Sequence, residues 1–237
     1  MNIYNYFDKI YCINLDISID RKEYVSNIFK ELNIPVEFYN IKKHENGGLY
    51  GCFDSHINII KYAYENNLEN ILVFEDDIEP TKSYNIENIN KIINFMKKNK
   101  EYDIFYLGYL AFKDNSKNKS FSSIFNSKKI ENNIYKYNPI CTHSICYNRR
   151  SYKKILENYD DYIGLIHYDN YIANYLDLNN YCFMPCLFEQ KYFKSLNKPL
   201  NNTEIIIRYI YNNLYQFHIN YIISYIIFNF FKMLHKS

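Results

Sequence analysis

Three adjacent carboxylates, Glu75-Asp76-Asp77, follow directly on the apolar run Ile71-Leu72-Val73-Phe74. Neighbouring carboxylates repel one another, and the repulsion is offset where a divalent cation or several hydrogen-bond donors face them. Hard oxygen ligands suit Mg²⁺ or Mn²⁺, ions that commonly bridge to a diphosphate. Side chains alternate along extended backbone, so Glu75 and Asp77 are expected to point one way and Asp76 the other. A solvated acidic turn after a strand is the competing reading. Asn14 and Arg21 flank a second place where chemistry could sit. There a helix N-terminus offers N–H donors and Arg21 can fork a phosphate, unless it is an ordinary surface arginine. Ser55-His56 falls on a helical pattern. On its own His56 reads as a hydrogen-bonded core histidine rather than a ligand.

These groups need elements to hold them. Ile10 to Leu15 reads as a buried first strand. Asp20 with Glu23 forms a capping-box pattern, Tyr24, Val25, Ile28, Phe29 and Leu32 follow at helical spacing, and Asn33 to Pro35 stops the helix. Val36 to Ile41 is a second strand. A loop over His44 to Gly51 leads into a helix over Cys52 to Asn66. Ile71 to Phe74 is a central strand buried on both faces, placing the three carboxylates at the edge where α/β sheets bind ligands. A helix near Ile86 to Met96 and a strand over Asp103 to Leu107 follow. Lys113 to Lys129, rich in Ser, Lys and Asn, reads as a flexible loop that closes as a lid. Cys141 to Tyr147 and Tyr181 to Phe188 read as strands, with helices over Arg150 to Glu157 and Tyr168 to Leu176. Strand, helix, strand at the start favours a parallel α/β sheet.

From Glu204 to Met233 no formally charged residue lies between Arg208 and Lys232, and polar residues recur every four positions. An amphipathic helix is expected, docked on the domain or lying on a membrane surface as a peripheral contact. The organisation read from the sequence is a domain over 1–200 and a helical segment over 201–237.

The 237 residues carry 28 Lys plus Arg against 26 Asp plus Glu, for a net charge of +2. That balance supplies no polyanion-binding surface, so no nucleic-acid partner is expected. The composition, with 28 Tyr, no Trp and 5 Gly, matches drift in an A/T-rich genome and carries no function. Six scattered Cys lack zinc-ribbon spacing, and reduced, mostly buried thiols are expected. Met1 to Asp8 has no secretory signature, so a cytoplasmic location is expected.

The order of motifs is more informative than any one of them. Ile13-Asn14-Leu15-Asp16 with Asp20-Arg21 comes first. Gly51-Cys52 with Ser55-His56, then Glu75-Asp76-Asp77, then Asp103 to Gly108 follow. Thr142 to Tyr147, Tyr168-Asp169-Asn170, and Pro185 with Gln190 complete the series. This order resembles glycosyltransferase family 25 over residues 9 to 195. The resemblance implies an α/β, GT-A-like (Rossmann-like) fold with a mixed, mostly parallel sheet flanked by helices. It implies transfer of a hexose, galactose or glucose, from a UDP-type sugar nucleotide. The acceptor would be a hydroxyl on a glycan, a lipid-linked sugar or a protein. Glu75 and Asp77 would hold Mn²⁺ or Mg²⁺, and Asn14, Arg21, Ser55, His56 and Glu75 would line the donor site. Two positions depart from the family pattern: Asp54, where an apolar residue is usual, and Ser195-Leu196, where a Ser-Asp pair is usual.

An inverting transfer needs a base for the acceptor hydroxyl. Asp169 is the first candidate and His167 the second, although an aspartate there also reads as a helix cap. Asp76 is expected to assist Asp77 as the leaving diphosphate gains charge. The alternative is a nucleotide-sugar-binding scaffold whose catalytic site has decayed.

Overall fold

The computed structural model describes residues 3–110, 112–115, 120–123, 127–191 and 193. The helix expected over Glu204 to Met233, its membrane contact, the division at residue 200 and the Ser195-Leu196 departure lie outside the described residues.

The chain runs β1 (Lys9–Leu15), α1 (Ile19–Glu31), β2 (Glu37–Ile41), α2 (Gly47–Glu65), β3 (Asn70–Glu75), β4 (Ile78–Pro80), α3 (Ile86–Lys98) and β5 (Ile104–Leu110). It continues with β6 (Phe112–Asn115), β7 (Ser120–Ser123), β8 (Lys128–Glu131), β9 (Ile134–Lys136), β10 (Ile140–Asn148), α4 (Arg149–Leu156), α5 (Tyr168–Asn174), β11 (Asn180–Phe183) and β12 (Phe188–Gln190). The main sheet has the order β2-β1-β3-β10-β5-β11-β9-β8, with β12 pairing with β4 and β5. β1, β2, β3, β5, β8, β11 and β12 share one direction, and β4, β9 and β10 oppose it. The sheet is therefore mixed and mostly parallel, as expected.

Alternation explains how helices come to cover both faces. Cys12, Leu72, Phe74, Phe105 and Cys146 share one core with Val25 and Phe29 of α1 and with Ile89, Ile92, Ile93 and Met96 of α3. Ile71, Val73, Ile145 and Tyr147 belong to the other face, where Tyr147 reaches His56 of α2, and α2 packs against α4 and α5. Burying each such Phe or Ile stabilises the fold by about 1.5–3 kcal/mol. β3 has no exposed surface from Ile71 to Phe74, as its unbroken apolar run predicts. α3 begins where the Asn85 side chain accepts from Asn88 N–H at 2.9 Å, and it ends with Lys97 and Lys98 against the negative pole of its dipole.

The local readings needed four corrections. α1 starts at Ile19 after Ser18, and no side chain caps it, so the Asp20–Glu23 capping box does not form. Three glycines expected in a loop lie within α2, which begins at Gly47 because nothing after that residue interrupts its turns. The segment read as a lid holds an antiparallel pair, β6 with β7, and then β8, which joins the main sheet through β9. The last strand is split into β11 and β12 around the cis Met184–Pro185 bond.

Candidate active site

The carboxyl ends of β1, β3 and β5 lie on one edge of the sheet, and antiparallel β10 begins on that same edge. Every predicted site residue that the strands carry is brought there. Asn14 is the last residue but one of β1, Glu75 ends β3, and Asp76-Asp77 form the turn that follows. Asp103, one motif of the series, sits at the opposite edge. There it accepts from Lys154 Nζ at 2.8 Å and from Asn179 N–H at 2.9 Å, and it fastens α4 to the sheet.

Asp76 points toward α1. Its carboxylate accepts from Asn14 Nδ2 at 2.8 Å and from Arg21 Nη1 at 2.5 Å. The expected alternation holds for Glu75 and Asp76 but fails at Asp77. Arg21 Nη2 lies 3.6 Å from Asp77 Oδ2, so one guanidinium spans both aspartates. The reason is that the strand ends at Glu75 and a turn replaces extended backbone. Gln190 Nε2, at 3.5 Å, also approaches Asp77 Oδ2, and Asp77 Oδ1 is buried with no hydrogen-bond partner.

Glu75 turns to the α2 side. Thr142 donates to its Oε1 at 2.9 Å, and His56 Nε2 lies 3.8 Å from the same oxygen. That is too long for a hydrogen bond, so the imidazole faces Glu75 without bonding to it. The His56 ring has no exposed surface, stacks on Tyr168 at 4.5 Å, and meets Tyr147 Oη through Nδ1 at 3.1 Å. Ser55 donates to the Gly51 carbonyl at 2.6 Å. Beside it, a cavity of about 190 Å³ opens between β2 and α2, lined by residues including Tyr39, Lys42, His44 and Asp54.

The three carboxylates differ in acidity. Burial pushes Asp77 up, the charges of Glu75 and Asp76 add to this, and Arg21 only partly opposes it, so its pKa rises to about 7. Burial also raises Asp76, despite Arg21 and Asn14. Glu75 moves the other way. Burial raises it, but His56, His143 and the Thr142 hydroxyl outweigh that and hold it below its ordinary value. The cluster thus pairs an acidic carboxyl with one that takes up a proton near neutrality. The unpartnered Asp77 oxygen and the carboxylate set fit a hard divalent cation.

Asp169 stands at the first turn of α5. It accepts from Cys141 N–H at 2.8 Å and from Asn170 N–H at 2.7 Å. It therefore holds β10 where Cys141 adopts a positive φ of 70°. Each carboxylate oxygen has two lone pairs, so capacity for an acceptor hydroxyl remains. His167 is exposed just before α5.

Four residues escaped the sequence reading as site members: Thr142, His143, Gln190 and Cys52. Thr142 and His143 sat in a segment noted only as small and apolar, although two polar residues inside a buried strand are themselves a signal. Gly108 shows how tightly His143 is packed. A Cβ there would lie 2.5 Å from His143 Nε2 and 2.8 Å from the Phe188 carbonyl oxygen. Cys52 and His56 lie four apart on a helix, a spacing that puts both on one face.

Among the described residues, no helix is long and apolar enough to cross a membrane.

Residues 42–172, more than half of the chain, match the family model described as "Glycosyltransferase family 25 (LPS biosynthesis protein)". A "Glycosyltransferase 25 family member" of Drosophila melanogaster is 27% identical over 136 residues, covering 46% of this chain and 22% of the relative. One of the same description from Drosophila pseudoobscura pseudoobscura is 26% identical over 136 residues. The chain thus spans about a fifth of the length of these curated relatives. Among solved structures, A197 from STIV aligns with a TM-score of 0.46 at 13% identity, covering 79% of this chain and 86% of that one. A glycosyltransferase involved in the glycosylation of the major capsid of PBCV-1 aligns at 0.45 with 15% identity, covering 77% and 94%.

Proposed function

Since the chain belongs to glycosyltransferase family 25, and so to the sugar transferases, we propose that it moves a hexose from a UDP-type sugar nucleotide to an acceptor hydroxyl with inversion. The acceptor is a hydroxyl of a glycan, a lipid-linked sugar or a protein. The observation that carries this reading is the buried carboxylate cluster at the carboxyl edge, where Asp77 Oδ1 has no hydrogen-bond partner.

Asp77 would hold Mn²⁺ or Mg²⁺, with Glu75 beside it. When bound, the ion neutralises charge gathering on the departing diphosphate. Asp76 keeps Arg21 in place over the cluster. Arg21, whose guanidinium lies at both Asp76 and Asp77, would offer its fork to a phosphate oxygen of the donor. Asn14 fixes Asp76 from below. The 190 Å³ cavity next to Ser55 is large enough for a flat ring of the donor. His56, buried behind Glu75, backs the site rather than touching the donor. Asp169 takes the proton of the acceptor hydroxyl as that oxygen attacks the anomeric carbon, whose bond to the diphosphate breaks on the opposite face. The three hydrogen bonds that Asp169 already accepts, one from Cys141 N–H and two from Asn170, favour one alternative, a scaffold that binds sugar nucleotide without transfer.

Calorimetric titration of UDP with and without Mn²⁺, on the intact protein and on Asp77→Asn, tests the donor site. Mn²⁺-dependent binding that the substitution removes supports it, and equal binding by both proteins refutes it. A product assay with UDP-hexoses then separates transfer from binding alone.

A further inference from the structure

Three groups that the transfer scheme does not use together converge beside α2. Cys52 and His56 project from one face of the helix, and Glu75 reaches them from the end of β3. A ligand atom from each, the thiol sulfur, an imidazole nitrogen and a carboxylate oxygen, lie within 4.8 Å of one another. A tetrahedral ion with bonds of about 2.0–2.3 Å holds its ligands roughly 3.3–3.7 Å apart. The 3.8 Å between His56 Nε2 and Glu75 Oε1 is already close to that span.

A second observation points to a ligand independently. His56 has no exposed surface, yet its Nε2 has no hydrogen-bond partner. Its Nδ1 meets the Tyr147 hydroxyl and its ring lies flat on Tyr168, so Nε2 is held facing Glu75. A buried imidazole nitrogen left empty costs stability unless something fills it. An outer hydrogen bond on the other ring nitrogen is also what orients metal-binding histidines. Thr142 fixes the Glu75 carboxylate in the same way. Cys52 is solvent-exposed, which gives an ion access.

We propose that Cys52, His56 and Glu75 form a site for a borderline-soft divalent cation, Zn²⁺ fitting best. It adjoins the hard-cation position at Asp77 and shares Glu75 with it. Thiolate and imidazole select such ions over Mg²⁺ and Mn²⁺. Binding replaces the S–H bond of Cys52 with a sulfur–metal bond and releases that proton to solvent. Three protein ligands leave the fourth position to water.

The intact chain, stripped by a chelator, is titrated with Zn²⁺ against a chromophoric competitor and separately with Co²⁺. About one Zn²⁺ per chain is expected, and the Co²⁺ form should show a thiolate-to-metal charge-transfer band. Cys52→Ser should remove that band and weaken Zn²⁺ binding at least about tenfold, while Asp77→Asn should retain both. The substituted cysteine is exposed, so the fold tolerates the change, and circular dichroism verifies it. No tight Zn²⁺, a Co²⁺ spectrum without the thiolate band, or unchanged affinity in Cys52→Ser overturns the proposal. No Mn²⁺-dependent UDP binding by the unsubstituted protein, with its Zn²⁺ binding intact, would overturn the donor reading alone.

Discussion

Replacing Asp77 by Asn should stabilise the metal-free protein, and the gain should grow with pH. Asp77 is only 16% exposed, and its neighbours Glu75 and Asp76 are carboxylates. Its pKa rises from 3.8 to about 7 on folding. A raised acid contributes stability that is complete below its unfolded value and is lost as pH climbs through the folded one. At 1.36 kcal/mol per pKa unit, the full loss is about 4 kcal/mol above pH 8. Between pH 5 and pH 8 the wild type should lose about 2–3 kcal/mol from this group, whereas an uncharged Asn loses none. Comparing the two proteins across pH removes any constant packing difference. Urea denaturation with a chelator present, at pH 5, 6, 7 and 8, measures the difference from the midpoints. Mn²⁺ should narrow the gap, because an ion at a hundred times its Kd stabilises only the protein that binds it, by about 2.7 kcal/mol against the gain of about 4 kcal/mol. A difference that stays flat or shrinks toward pH 8 refutes the argument that repulsion is stored at Asp77.

Two other changes test the frame around the site. Gly108→Ala places a methyl 2.5 Å from His143 Nε2 and 2.8 Å from the Phe188 carbonyl. It should cost about 1–3 kcal/mol by denaturant melt, and a neutral result would mean that β5, β10 and β12 are looser than their contacts imply. Glu189 faces Glu79 across the β4–β12 pair, and burial, then the charge of Glu79, lifts its pKa to about 7. Glu189→Gln should therefore raise Tm at pH 8 and have little effect near pH 5, and a gain independent of pH would contradict that cause.

The sequence made the frame legible where one property decided an element. The run Ile71 to Phe74 could only be a strand covered on both sides, so the position of the carboxylates followed from it. The motif order led to the right family. What stayed hidden depends on contacts between distant segments. Nothing local says that Arg21 will span Asp76 and Asp77, because that depends on a turn at the end of β3. Nor does a Thr-His pair in a strand announce Glu75 as its neighbour until β10 is known to lie between β3 and β5. The polar stretch after Lys113 was misread for a related reason. Composition does not report backbone pairing, and it is pairing that makes this stretch strands.

The antiparallel insertion of β10 also fixes an order of events during synthesis. β3 has its β1 partner from the N-terminal part of the chain, but its other edge waits for Ser144 to Asn148. Until then a strand with the apolar run Ile71 to Phe74 presents open N–H and C=O groups to any passing chain. Such distant pairings close slowly and leave intermediates prone to stick. The arriving strand carries Thr142 and His143 to Glu75, so the step that seals the exposed edge also completes the carboxylate cluster. A nascent chain truncated before residue 140 should consequently be both inactive and an aggregation hazard.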